Sequence, residues 1–395
     1  MIKAASLQTF EIDDIPLACR ELKEQLNERL TLLNNSVGLV QCDPEFIETG
    51  FLEFLYNELG IPLVGGTTVA AATNNAIGNL TFSMLVLTSD DVEFVVSHTV
   101  GFADNVTEAI ERSLKTTLGD SPKPLKLALV FPPVFENLSG DHYIEAFENV
   151  CGMIPVFGTN PVDDNFPNFD RSLAIFNDKA LALEMSYVLL FGNVTPRFFV
   201  AAVPAQVNIV ESGAVITRAV DNIVYELNHI PAVKYLEDLG LAANGALKSE
   251  AGFFPLLVTA NTTDNHTVSA RPFVRALVGI EADGSAVCRG KMPEGARITF
   301  ASYNSADVMS ATTETITQAT NEKDISAALI YSCMVRQHVI GIDSMKELKQ
   351  IKSILSANIP FMASYAGGEI SPTSVDDNNI AQNRFHNYSL IMCLL

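Results

Sequence analysis

The densest collection of chemically capable side chains in this 395-residue chain lies near its C-terminus. Ser332, Cys333 and Arg336 follow the apolar run "ALIYSC", and Tyr365, Gly367, Gly368 and Glu369 follow "IPFMAS". His386 and Asn387 stand in "RFHNYS". If all three segments end at one edge of a sheet, an arginine, a carboxylate, a phenol and an imidazole converge, and the glycine pair lets backbone approach a ligand closely. Cys333 with His386 also raises a thiol nucleophile, which needs an exposed, low-pKa cysteine within reach of its base. A cysteine closing an apolar strand reads more simply as a buried thiol.

Earlier loops carry less. "IPLVGGTT" offers Gly65, Gly66, Thr67 and Thr68, whose amides and hydroxyls could meet a ligand, but no lysine follows to make a nucleotide-phosphate loop. A tight turn explains these glycines equally well. "FGTNPVDDN" offers Asp163 and Asp164, and in a proline-containing loop these read first as turn residues. The six histidines, at 98, 142, 229, 266, 338 and 386, are scattered without a metal-binding spacing, as are the six cysteines. A haem iron is the exception, because a single axial histidine needs no local motif.

The elements that must position these residues recur. A strand, a helix, an Ile-Pro pair opening a short strand, a loop of small residues and a closing strand appear three times, around "SVGLVQC…IPLVGGTT", "LALVF…IPVFGTNP" and "ALIYSC…IPFMASYAGGE". Upstream of the second copy stand a strand, "DVEFVVSHTV", and a helix, "NVTEAIERSLKTT"; "ARITFASYN" and "ADVMSATTETITQAT" read the same way before the third. Strands alternating with helices predict an α/β fold of two mixed-sheet domains with helices packed on the sheets, residues 1–210 and 211–395, two copies falling in the first domain and one in the second. Loops at equivalent strand ends are where such sheets bind ligands. The polar segment at 259–267 reads as an exposed loop.

Composition narrows the function classes. The 46 acidic and 25 basic residues give a formal charge of −21, which repels nucleic acid and anionic membranes. Hydrophobic residues make up 48% and charged residues 18% of the chain, enough to bury a core in each domain. No apolar run reaches the length of a membrane span, and the opening residues lack the charged and apolar regions of a secretory signal. A cytoplasmic protein that binds neither nucleic acid nor membrane is the expectation.

The stretches "ALIYSCMVR", "NIPFMASYAGGEISP" and "FHNYSLIMCLL" resemble the C-terminal FIST domain, and "IPLVGGTTVAA" with "IPVFGTNPVDD" resembles the N-terminal FIST domain. The likeness covers nearly the whole chain. Where the family's first loop usually carries a glutamate, this sequence has Ala70, Ala71 and Ala72, while Gly368-Glu369-Ile370 and Pro372 are kept and Ser389 replaces a threonine.

The resemblance implies a sensory, non-enzymatic protein of signal transduction. It would bind a small ligand, either an amino-acid-like metabolite or, as in haem-based nitric oxide sensors, haem, and signal in trans to a partner such as a histidine kinase of a two-component system. It places the ligand among Gly66, Thr67, Arg336, Tyr365, Gly367, Gly368, Glu369, His386 and Asn387, with His386 as axial ligand if haem is bound. The alternative is an enzyme acting on an amino-acid-like or acyl substrate through Cys333 or Glu369.

Overall fold

A computed structural model describes residues 1–101, 105–119, 121–134, 138–165, 169–201, 208–259, 272–355 and 359–395. The polar loop at 260–267 and Asn358 lie outside the described residues.

The repeat read in the sequence is a repeat of structure. The first unit runs strand Lys3–Thr9, helix Ile15–Arg29, strand Asn35–Cys42, helices Pro44–Glu48 and Phe51–Leu59, strand Leu63–Thr67, a hairpin of Ala71–Thr73 and Ile77–Gly78, and closing strand Phe82–Ser89. Asp14 caps the first helix, its side chain accepting from Leu17 N–H, and Ala18, Cys19, Leu22 and Leu26 make the buried stripe. Gly60, at φ 65°, ends the helix Phe51–Leu59 in the left-handed conformation that glycine adopts freely, and Phe51, Leu52 and Leu55 make its buried face while Phe54 points outward at 38% exposure.

The second unit repeats the order with strand Glu93–His98, helix Val106–Leu118, strand Leu125–Phe131, helix Asp141–Cys151, strand Val156–Thr159, hairpin Ala174–Phe176 and Lys179–Leu181, and strand Ser186–Phe191. The third has strand Arg197–Ala201, helix Ser305–Thr320, strand Ala328–Cys333, helices Met334–Ile340 and Lys346–Ile354, strand Phe361–Ala366, hairpin Glu369–Val375 and Ala381–His386, and strand Leu390–Leu394. In each unit the two central strands pair in parallel, as Gly38 with Leu63, Ala128 with Val156 and Ala328 with Phe361, and the remaining pairs are antiparallel.

Each unit sends its hairpin into the sheet of another. Ala71–Thr73 pairs with Phe361–Ala366, Ala174–Phe176 with Leu63–Thr67, and Glu369–Val375 with Val156–Thr159, so the exchange closes a ring of three. The inner faces of the sheets share one core, to which Leu39 and Leu87, Leu129 and Val188, and Tyr331 and Ile391 contribute from the three units. Each outer face is covered by helices, as Leu22 and Leu55, Ile110 and Phe147, and Ile316 and Ile351 show. Strands buried on both faces explain the unbroken apolar runs in the sequence.

Between Arg197–Ala201 and helix Ser305–Thr320 an inserted unit of mostly antiparallel strands, from Asn208–Val220 to Arg297–Ser302, builds its own core around Ile216, Leu256, Ile298 and Phe300. The segment "ARITF", expected to open the third copy, pairs instead with Asn208–Val220 and Leu256–Thr259 inside the insert. The opening strand of the third unit is Arg197–Ala201, which pairs with Leu390–Leu394. A long insertion between strand and helix displaced a periodicity that looked contiguous. Residue 210, where the sequence divides the domains, falls inside the strand Asn208–Val220.

Candidate functional site

The loops that leave the second parallel strand of each unit meet and lock together. Val162 N–H donates to the Thr67 carbonyl, Gly367 N–H to the Asn160 carbonyl, and Asn160 N–H to the Gly368 carbonyl, each at 3.0 Å. The Thr68 hydroxyl donates to the Tyr365 carbonyl at 2.8 Å. Thr67 is further spent on Leu173, whose N–H donates to its hydroxyl oxygen.

The glycines here serve clearance. A Cβ on Gly66 would lie 2.6 Å from the Pro161 ring, one on Gly367 2.7 Å from Val162, and one on Gly368 2.4 Å from the Phe385 ring. Gly66, Thr67, Gly367 and Gly368 therefore come together as the sequence predicts, but their polar atoms and their space are used by one another. Asp163 is fully buried and accepts from Asn165 N–H, Arg171 N–H and Ser172, the turn role that its composition suggested.

The chemistry concentrates at the end of the strand Ala328–Cys333. Arg336, one helical turn past Cys333, and Glu347, on the next helix, are both without exposure. Arg336 donates through Nε and Nη2 to Glu347 Oε1 at 3.1 and 2.7 Å, through Nη2 to Thr312 Oγ1 at 2.9 Å, and through Nη1 to the Tyr388 carbonyl at 3.3 Å. Glu347 also accepts from Ser332 and Thr312, at 2.7 and 2.6 Å. Burial alone would favour a neutral guanidine, yet Glu347 beside it holds the Arg336 pKa above its ordinary value. The pair is a closed platform with every guanidinium nitrogen engaged.

Above it lies Glu369, also without exposure. Neither of its oxygens closes a hydrogen bond of good geometry, although the Cys333 thiol and Ser389 N–H lie near enough to favour the carboxylate. Burial outweighs them and pushes the Glu369 carboxyl well above the usual range. Burial, reinforced by Glu369, likewise pushes up the Cys333 thiol. The Tyr303 hydroxyl, from the segment that leaves the inserted unit, is buried and unpartnered as well. Its ring packs edge-on against Tyr388 at 5.8 Å, and Tyr388 donates to the Gly252 carbonyl of the insert.

The remaining predicted residues point elsewhere. Tyr365 turns toward the helices and donates to the Ser344 carbonyl at 2.9 Å. Asn387 ties the hairpin to the insert, accepting from Ala276 N–H at 3.1 Å. His386 is 5% exposed, its Nε2 lies 3.1 Å from the Ser371 carbonyl, and burial holds its pKa down to about 3. A haem would need that nitrogen free and a broad apolar slot beside it. The cavity beside Phe385, lined by Tyr143, Asn160, Arg289 and Gly367, has a volume of about 10 Å³, room for roughly one water. His386 and its surroundings do not fit a haem, and among the described residues no cluster of three His, Cys, Asp or Glu is placed to hold a metal ion.

Sequence reasoning did not single out Glu347, Thr312, Tyr303 or Tyr388. A signal for Glu347 was present, since it stands four residues before the core residue Ile351 and so on the buried stripe of its helix. Nothing local marks Tyr303, because its place depends on how the insert rejoins the third unit.

The insert is clasped to the second unit over this region. Arg275, 3% exposed, lies 3.1 Å from Asp141 and donates to the Phe385 carbonyl at 2.8 Å. Lys291 donates through its N–H to Asp141 and pairs with Glu145, while His142 stands 3.2 Å from Asp221. Burial works to raise the Asp141 pKa, and Arg275 with the Lys291 N–H overrides it and holds the carboxyl below its usual value.

Among solved structures, the crystal structure of cyanuric acid hydrolase from A. caulinodans aligns over 100% of this chain and 99% of its own, at 9% identity and a TM-score of 0.33. A second, titled "Cyanuric acid hydrolase: evolutionary innovation by structural concatenation", aligns over 69% and 85% at 11% identity and a TM-score of 0.25. Scores this low carry no argument about this chain. No curated protein sequence matches it significantly. Two family models do match, the FIST N domain over residues 36–230 and the FIST C domain over residues 231–372. Such domains are small-ligand-binding sensory domains of signal transduction, and the chain belongs to the FIST family.

Proposed function

We propose that the protein is a cytoplasmic small-ligand sensor whose ligand-binding site is the buried cluster of Glu369, Tyr303 and Cys333 over the Arg336–Glu347 platform, and that it signals in trans to a separate protein such as a histidine kinase. The observation that carries this reading is the Glu369 carboxyl, fully buried with both oxygens unpartnered. Leaving a buried polar group unsatisfied costs about 1–3 kcal/mol, and each such group calls for an explanation. A ligand that supplies the missing partner is one, and the clasped insert, resting on Tyr388, provides the movable element through which occupancy would reach a partner protein.

The ligand is a small metabolite rather than haem, since the surroundings of His386 do not fit the macrocycle. A binding role is also favoured over catalysis through Cys333. A nucleophilic cysteine needs a lowered pKa and a base within reach, whereas burial and the neighbouring Glu369 push this thiol up.

Mass analysis of small molecules released on denaturing the purified protein, with an absorption spectrum, tests the reading. The expected result is a bound metabolite, no Soret band, and at least tenfold weaker rebinding to Glu369→Gln. Rebinding that is unchanged in both Glu369→Gln and Tyr303→Phe would place the ligand elsewhere.

A further inference from the structure

The charge balance of the cluster restricts what can enter it. All three Arg336 nitrogens are engaged by Glu347, Thr312 and main-chain carbonyls, so an arriving carboxylate or phosphate would find no cation to receive it. It would instead meet Glu369, a second acid in the same enclosure. What the site lacks is a cation: neither Glu369 oxygen closes a hydrogen bond of good geometry, and the neighbouring Cys333 thiol and Ser389 N–H bring donors but no charge.

We propose that Glu369 is the counterion of the ammonium group of a small primary-amine ligand. This rests on the small-ligand reading of the same cluster. An ammonium group supplies N–H donors and one positive charge, which matches the one acid left outside the internal ion pair. The charged and titratable groups around it are Arg336 and Glu347 from the platform, Cys333 from the strand end, and Tyr303 and Tyr388 under the insert. The platform is neutral as a pair, and Cys333, Tyr303 and Tyr388 are all pushed up by burial and remain neutral at physiological pH.

Binding would be tied to the proton on Glu369. Burial favours the carboxylic acid in the free site, and the complex holds carboxylate against ammonium. Forming the ion pair therefore releases proton to solvent. While the free site stays protonated, affinity rises about tenfold per pH unit.

The experiment is calorimetric titration of the full chain with methylammonium chloride at pH 6 and pH 7, in buffers of different ionisation enthalpy, with tetramethylammonium and acetate as controls. Methylammonium is expected to bind in the millimolar range with proton release, and more tightly at pH 7 than at pH 6. Neither control should bind, since one lacks donors and the other lacks the charge. Glu369→Gln should lose at least tenfold in affinity together with the proton release. Tyr303→Phe, which leaves the counterion in place, should keep the proton release.

No methylammonium heat up to about 100 mM, acetate binding in preference, or an unaltered Glu369→Gln would overturn the assignment. If a metabolite without an amine binds and either substitution weakens it, this is still the ligand site and only the ammonium assignment falls. If no ligand responds to either substitution, both fall.

Discussion

Glu369 and His386 face each other in register across the exchanged hairpin, and burial disfavours the charged form of each. Their effects on stability run in opposite directions. For Glu369 the folded pKa is raised, so the folded state keeps a proton that the unfolded chain has lost, and stability falls as pH rises above the unfolded value near 4.5. Glu369→Gln should therefore raise the urea midpoint at pH 7.5 by an amount worth about 1–3 kcal/mol, a gain that shrinks toward pH 5. A midpoint lowered at pH 7.5 would mean that the carboxylate has a partner in the folded protein.

For His386 the folded pKa is about 3 against 6.5 unfolded, so stability is lost as pH falls below 6.5. His386→Asn should flatten that acid limb, as pH-dependent melting would read. Arg336 and Glu347 follow a different rule, because each is the other's only compensation in a site without water access. Glu347→Gln should cost about 3–5 kcal/mol in chemical denaturation, and replacing both members with apolar residues should cost much less.

At the scale of elements, the Gly367-Gly368 step sets how closely the third unit's hairpin approaches the second unit. Gly368→Ala would drive a Cβ into the Phe385 ring, destabilising the fold by about 1–3 kcal/mol, with partial recovery in Gly368→Ala/Phe385→Leu. A single substitution without thermal effect would show that the ring has room to move. This step also marks where the sequence was legible and where it was not. The order of strand, helix and Ile-Pro strand was readable because each copy carries its own periodicity and stops, as Gly60 shows.

The destination of the hairpins was not readable. Glu369–Val375 has strand character wherever it pairs, and only the closed ring decides that it joins Val156–Thr159. The same holds for the site. Arg336 and Glu369 stand near the same strand end as their motifs suggested, whereas His386 has the motif and not the position, because its Nε2 is taken by the Ser371 carbonyl. Tyr303 came into the site through an insertion that no local pattern announces.

For the molecule as a whole, the clasp between insert and second unit is the seam most open to outside conditions. Lys291–Glu145 is substantially exposed and His142–Asp221 partly so, and exposed pairs weaken once ionic strength shortens the screening length. Hydrogen exchange in the insert strands Phe273–Arg275 and Ala286–Cys288 should accelerate between low salt and about 1 M, where screening falls to roughly 3 Å, and should slow on ligand binding. Exchange that ignores both salt and ligand would mean that the insert does not move as the signalling reading requires.

The ring of exchanged hairpins also fixes an order of events at the ribosome. The strand that pairs with the hairpin Ala71–Thr73, Phe361–Ala366, is made only after the second unit and the insert, and the sheet around Leu63–Thr67 waits for Ala174–Phe176 from the second unit. No unit completes its sheet from its own residues alone. The hairpin of the first unit and the sheet edge at Val156–Thr159 of the second stay open until Phe361–Ala366 and Glu369–Val375 arrive, which makes the nascent chain a natural client of chaperones that shield such edges.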